Sequence, residues 1–455
     1  MKKTDSFLKS VCALAIPVTM QSMLQSSFSM VDQIMIGQLG ARSVAGVGLA
    51  GKFASMYTVV IAAIGAAAGI MIAQYLGQKN SREVRRSFLV NLLLGVVIAG
   101  IFTLLCALLP DRIMRAYTGD AQTRQAAADY LRLICGTFLP MAGATLVSTL
   151  LRCLEKPRLP LYASIAAALL NTGLNYVLIF GKLGFAPMGA AGAAIATVVS
   201  QWANFLLMAL LLPKRARAAE APAREKTRFR WRQYLSMLLP LLACEAMWSL
   251  GENVYAAIYG HMSTAASAAM TLTNPVQGLV IGALCGLSQA AGVIVGKRLG
   301  SGENEAAFSA AKRLLRYGAA GSLLLSAAVA LFSGVYVNIY PVDAALRTMA
   351  RQLLLAYALI APFKVLNMIL GGGILRSGGC TTYVMCIDLI GTWCLGVPLG
   401  LLGAFVLHLP VAGVYLLLSL EECVRFAVSM AVFRKRTWMR RLSAGGDVSR
   451  ETGET

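Results

Sequence analysis

Long apolar stretches, broken only by small or single polar residues, alternate along this chain with short segments that hold nearly all its charge. A helix needs about 20 mostly apolar residues to cross a hydrocarbon core, and windows of that size recur from end to end. They predict an all-α polytopic membrane protein with twelve transmembrane helices. The first runs from Ser10 to Val31, broken at Pro17 and ending near Gly37; Phe53 to Gln78, Ser87 to Pro110, Leu133 to Leu151, Leu159 to Gly181 and Leu183 to Leu212 follow. The uncharged run from Asn253 to Gly296 is too long for one span, and the turn Gly260-His261-Met262-Ser263 splits it between helices seven and eight. Tyr317 to Pro341, Ala345 to Gly373, Tyr383 to Phe405 and Val411 to Val432 complete the set, with His408 and Pro410 marking the last turn.

The two halves repeat. A shift of 223 residues places Pro17 on Pro240, Gly37 on Gly260, Leu76-Gly77 on Leu299-Gly300, Tyr117 on Tyr340, Asp120 on Asp343 and Pro187 on Pro410. The expected organisation is an N-terminal six-helix lobe (1–212), a basic linker (213–232), a C-terminal six-helix lobe (233–438) and a disordered tail (439–455). Six helices per half, with the linker on the starting side, give both halves the same orientation, two pseudo-symmetric bundles about an axis along the membrane normal. In transporters built this way the ligand site lies near the midplane, and one bundle rocks against the other.

Composition agrees: 58% of the 455 residues are hydrophobic and 13% charged, with mean hydropathy +0.68, where a soluble domain carries about 25% charged residues. The net charge of +21 suggests nucleic-acid binding until its position is considered. Most Lys and Arg fall in the termini and alternate connections: Lys79 to Arg86, Arg152 to Arg158, the linker, Lys297 to Arg316, Arg376 and the tail from Arg434. That is the bias of cytoplasmic segments, so both termini are expected in the cytoplasm, the bilayer is the partner and nucleic acid is not. The ten cysteines lack CxxC or metal spacing and read as small buried hydrophobes. Met1-Lys2-Lys3 opens like a signal peptide, yet no small-residue cleavage site follows and the segment reads as retained.

Ionisable groups inside spans are costly, and mark functional positions by default. Gln21, Gln25 and Asp32 form one stripe of helix one, where Asp32 is either a protonatable site or a hydrogen-bonding partner of a neighbouring helix. Asn171 and Asn175 share a face of helix five, as packing amides or as ligand and cation contacts. Glu245 and Glu252 lie on one face of helix seven with Trp248, a set that suits an organic cation through charge pairing and cation–π contact as well as it suits structural roles. Lys364 pairs with either of these acids or with Asp388, or is displaced when a cation binds. Glu421, Glu422 and Arg425 have the spacing of local pairing on helix twelve. Span glycines such as Gly65, Gly69, Gly282, Gly286 and Gly371 to Gly373 read as packing sites. No GxxxxGK[ST] loop supports ATP-driven transport, which leaves an ion gradient as the energy source. No catalytic constellation or resident cofactor is indicated, so an enzyme is not expected.

Taken together, these residues resemble the multidrug and toxic compound extrusion (MATE) family. Its helix-one proline followed by V-D-x-x-x-x-G-x-L-G stands here as Pro17 and Val31-Asp32 to Gly37-Gln38-Leu39-Gly40. Tyr75-Leu76-Gly77, Leu151-Arg152, Asn171 to Tyr176, Pro187 to Gly192 with Ala196-Thr197, Trp248 to Gly251, Leu299-Gly300, Gly373 to Gly379 and Trp438 extend the match over nearly the whole chain. The resemblance implies a V-shaped pair of six-helix lobes in a bacterial plasma or inner membrane. It implies an antiporter that exchanges external H+ or Na+ for internal amphipathic, often cationic, molecules, here as a monomer. Asp32 matches the acid proposed to carry N-lobe coupling, Asn171 the asparagine beside it, and Glu245 the helix-seven acid of many bacterial members. Asn175 stands where some members carry Asp, Asn367 lies near the helix-ten acidic position of sodium-coupled members, and Cys380 replaces an Asp. The alternatives are a flippase-like transporter of a lipid-linked or polyanionic precursor, whose cavity needs several cations, and a non-transporting membrane receptor.

Overall fold

The computed structural model describes residues 2–39, 41–212, 229–340 and 342–442. Most of the basic linker (213–228), the end of the tail (443–455), Gly40 and Pro341 lie outside the described residues.

The described chain is helical, and its spans are α1 (Lys2–Gly37), α2 (Ala41–Gly77), α3 (Ser81–Leu108), α4 (Ala121–Cys153), α5 (Arg158–Phe180), α6 (Gly189–Leu210), α7 (Trp231–Met262), α8 (Thr264–Gly300), α9 (Asn304–Asn338), α10 (Ala344–Leu375), α11 (Thr381–Val406) and α12 (Val411–Arg434). Eleven are long and apolar enough to cross a membrane; in α12 Glu421, Glu422 and Arg425 lower the hydropathy. The split between α7 and α8 falls where the glycine-bearing turn predicts it, and Ser263 caps α8 by accepting a hydrogen bond from the Ala266 amide.

Several boundaries differ from the hydropathy reading for local reasons. Helix α1 is not broken at Pro17 but runs through it; intramembrane proline is tolerated because neighbouring helices satisfy the freed carbonyl. Helix α4 begins at Ala121, well before Leu133, because Asp120 caps it by accepting from the Thr123 amide. Helix α9 begins at Asn304 rather than Tyr317, its first turns being amphipathic and charged on one side. Helix α6 starts later than Leu183, since Leu183 and Gly184 take positive φ in the preceding loop and Gly189 does so where the helix begins.

The chain packs as two compact units: one gathers Met1–Thr19, Ala73–Asn80 and Arg224–Thr455, the other Met20–Ile72 and Ser81–Ala223. In the second-named unit the α2–α3–α4 packing is built on Tyr57, whose hydroxyl donates to the Phe138 carbonyl at 2.6 Å and whose ring meets Phe138 and Phe102. Leu93, Leu104 and Leu108 on α3 are 66%, 60% and 72% exposed, an apolar face suited to lipid.

In the first-named unit, α7 to α12 surround a core of Val295, Leu299, Leu314, Tyr357, Val365 and Ile369. The start of α1 lies against α8 at Gly286, where an added Cβ would stand 2.1 Å from the Ala15 carbonyl oxygen. Three wide π-helical stretches, Met368–Leu375, Ile390–Gly396 and Leu402–Val406, interrupt α10 and α11. Each contains glycine, and such expansions of a helix recur at functional sites. Two of them flank the acids and arginines described next.

Candidate ion and substrate sites

Among the described residues, a polar cluster lies within the spans of each unit. In the unit of α3 to α6, α1 and α5 run alongside in the same direction, and two hydrogen bonds register them. Gln21 Nε2 donates to Ser164 Oγ at 2.9 Å, and Asn175 Nδ2 donates to Asp32 Oδ1. Asn175 is buried and also donates to Asn171 Oδ1 at 3.3 Å; Asn171 Nδ2 donates to Thr197 Oγ1 at 3.4 Å, and Thr197 Oγ1 donates to the Ala193 carbonyl at 2.9 Å. A chain of neutral groups therefore leads from α6 through α5 to a single half-buried carboxylate. The predicted helix-five face is real, with both amides used. Tyr130 of α4 is close enough to Asp32 to sense its charge. Of the helix-one stripe, Gln21 and Asp32 turn to α5, whereas Gln25 is exposed.

The second cluster joins α7, α10, α11 and α12. Arg376, just beyond α10, lies with Nη1 3.2 Å from Glu245 Oε1 and Nη2 3.9 Å from Asp388 Oδ2. Cys244 is set between them: Arg376 Nη2 reaches its sulfur at 3.0 Å, and that sulfur lies 2.9 Å from Asp388 Oδ2. Arg425 of α12 donates to Asp388 Oδ1 and lies 3.7 Å from Glu422 Oε1. Asn367 Nδ2 donates to both the carbonyl and Oε2 of Glu422 at 2.8 Å. Asp388 thus bridges two guanidiniums, and Glu422 shares one of them.

Three expectations change here. Lys364 does not pair with Asp388, which the two arginines occupy; its ammonium lies 5.5 Å from the Tyr415 ring centroid, within electrostatic reach of Glu252 and Glu422. The pairing on α12 is not purely local, because Arg425 crosses to Asp388 as well as meeting Glu422. Arg376 is not simply a charge of the connecting loop; it folds back into the acids. Sequence reasoning missed it as a site residue, although an excess of span acids over span cations was the available signal.

Glu245 is half-buried, while Trp248 and Glu252 are exposed. Trp248 lines a cleft between α7 and α11 together with Met247, Met385, Trp393, Asp388 and Cys244. Aromatic rings and a carboxylate lining one cleft are able to hold an amphipathic cation. Buried atoms without a hydrogen-bond partner lie in this region, among them Asn367 Oδ1, Tyr259 Oη and the Nε atoms of Arg376 and Arg425. Buried polar atoms are normally satisfied, so this cluster stands out from the rest of the unit. Cys380 lies between α10 and α11 with its sulfur 3.8 Å from the Trp438 carbonyl, and burial pushes its thiol above the ordinary range. It serves packing.

The profile of the MatE family matches residues 17–177 and again 240–402, so its two starts coincide with Pro17 and Pro240, the pair that the internal repeat superposes. The chain is 25% identical to a probable multidrug resistance protein NorM of Thermotoga maritima, covering 95% of this chain and 93% of that one. It is 27% identical to a protein of the same description from Mesorhizobium japonicum, over 95% and 94%. Among solved structures, it superposes with TM-score 0.86 at 18% identity on a MATE protein in complex with MaL6, over 94% of this chain and 96% of that one. An outward-facing multidrug resistance MATE transporter gives 0.83 at 19%, over 95% and 97%. The same fold, with TM-score 0.84 and 18% identity over 94% and 95%, occurs in a MOP-superfamily transporter from Pyrococcus furiosus described as having a binding pocket of reversed polarity. With both halves matched by one family and the twelve-helix fold shared, the chain belongs to the MatE family of multi-pass membrane transporters.

Proposed function

We propose that this protein is a secondary active antiporter that exports amphipathic, cationic small molecules in exchange for H+ or Na+, working as a monomer by alternating access between its two six-helix lobes. The observation that carries the reading is a contrast between acids. Glu245, Asp388 and Glu422 have arginine partners, whereas among the described residues no Lys or Arg pairs with Asp32, whose hydrogen bond comes from the neutral amide of Asn175. A span carboxylate without a protein counter-charge is stabilised by taking up a proton or a cation. Loading and unloading of that ion biases two conformations through their different affinities for it.

The cargo assignment rests on charge balance in the other cluster. Glu245, Glu252, Asp388, Glu421 and Glu422 face Lys364, Arg376 and Arg425. Acids predominate, and the cleft beside Asp388 offers Trp248 and Trp393. A lipid-linked or polyanionic cargo calls for the opposite excess, and Arg376, although it adds a third interior cation, is already engaged by two acids.

For orientation, the ends of α2, α8 and α12 with the starts of α9 and α11 come together, and Lys297, Arg298, Lys312, Arg313, Arg316, Arg434 and Arg436 gather there. By the positive-inside bias this end faces the cytoplasm, and both termini with it.

The test is uptake of a fluorescent organic cation into everted vesicles, with a pH gradient and a sodium gradient imposed separately. Asp32→Asn is expected to abolish gradient-driven uptake while membrane insertion is retained. Uptake by Asp32→Asn at the native rate overturns the mechanism.

A further inference from the structure

The starts of α9 and the end of α12 enclose a pocket that the transport reading does not use. On α9, Phe308, Lys312 and Arg316 recur at four-residue spacing and so form one stripe. From α12 come Phe433 and Arg434, and just beyond it Arg436 takes positive φ, a turn that swings its guanidinium back over the Phe308 ring at 4.2 Å. The Lys312 ammonium lies 4.5 Å from the same centroid. Phe308 is stacked on Phe433 at 4.9 Å, and Phe433 on the buried Trp438, so the floor is rigid and aromatic.

Four cations thus converge on one aromatic floor. Glu305 neutralises one, by its ion pair with Arg436. Among the described residues Lys312, Arg316 and Arg434 have no acidic partner, and all three are exposed at the rim. Like charges held together are stabilised by an anion between them, and Arg in particular matches the oxygens of a phosphate. The pocket is also lined by Leu315, level with the basic stripe of α9, and by Met430, one turn further into the span of α12 than Arg434. A free phosphate has no use for that surface.

We propose that this pocket binds the phosphate headgroup of an anionic phospholipid, with Lys312, Arg316 and Arg434 on the phosphate and Leu315 and Met430 against the start of an acyl chain. Basic pockets between transmembrane helices are suited to such headgroups. The assignment of this end to the cytoplasmic leaflet rests on the orientation proposed above; binding itself does not.

The test uses the purified full-length protein in detergent, where both ends are accessible, so that an error of orientation leaves the result unaffected. Native mass spectrometry would count retained phosphatidylglycerol or cardiolipin, against phosphatidylcholine, for the native protein, for Lys312→Gln/Arg316→Gln, for Arg434→Gln, and for Lys9→Gln/Arg441→Gln, which removes equal charge outside the pocket. The expected result is selective retention of the anionic lipid. Affinity should fall about 30-fold in the first double variant, at about fivefold for each cation removed, and about fivefold in Arg434→Gln, with little change in the control and unchanged melting temperatures. Equal losses in the control, no loss in the pocket variants, or equal retention of phosphatidylcholine overturns the proposal. Displacement of the lipid by millimolar inorganic phosphate overturns its lipid part and assigns the pocket to free phosphate.

Discussion

Gly77 at the end of α2 and Gly300 at the end of α8 are counterparts under the 223-residue repeat, and each lies bare against the backbone of the other helix. A Cβ on Gly77 would stand 2.0 Å from the Lys297 carbonyl oxygen, and one on Gly300 would stand 2.0 Å from that of Gln74. Gln74 and Lys297 are themselves separated by 223 residues, so the duplicated sequence produces a reciprocal crossing. Because the obstacle is backbone, no rotamer change relieves it. Gly77→Ala and Gly300→Ala should each destabilise by about 1–3 kcal/mol, the cost of forced overpacking. Melting in detergent would check this, and an unchanged melting temperature for both variants would contradict the crossing.

Asn175 acts on Asp32 directly, and its two donor contacts make it the node of the neutral chain. Hydrogen bonds to charged groups contribute about 1.5–3 kcal/mol, so Asn175→Leu should slow ion-coupled exchange roughly tenfold to a hundredfold. Exchange at the native initial rate in Asn175→Leu would separate the two residues functionally.

Asp388 bridges Arg376 and Arg425, with each side chain mostly buried. Removing one partner of a buried pair strands a charge at a cost of about 3–5 kcal/mol. Arg425→Leu should therefore lower thermal stability markedly, and Asp388→Asn introduced beside it should restore part of the loss. If the double variant is less stable than Arg425→Leu, the bridge is not the source of the effect.

The segment after α12 is tied down by named contacts. Gln74 Nε2 donates to the carbonyls of Ser377 at 2.7 Å and Arg440 at 3.1 Å, while its Oε1 accepts from the Leu442 amide at 2.7 Å. Trp438 is fully buried, and its Nε1 donates to the Phe433 carbonyl at 3.1 Å. Trp438→Ala should cost about 3–5 kcal/mol through the cavity it leaves. Gln74→Leu should open the segment locally, read as faster protease cleavage between Arg436 and Arg441 with little change in global melting. Unchanged cleavage would show that the Gln74 contacts do not hold it.

Hydropathy and periodicity sufficed to place the middle of each span, the turn between α7 and α8, the internal repeat and the acids within the spans. These follow from one-dimensional physics: the thickness of hydrocarbon sets the length of an apolar run, and a 3.6-residue period puts Asn171 and Asn175 on one face. Helix ends such as Asn304 escaped it, because hydropathy reports the apolar middle of a helix and not the charged turns that continue it. Which charges meet depends on how the helices pack. Asp388 had three interior cations available and took Arg376 and Arg425, leaving Lys364 beside Tyr415. Spacing along one helix carries no information about distance to another, and a pair such as Arg376 and Glu245, 131 residues apart, exists only once α7 and α10 have packed.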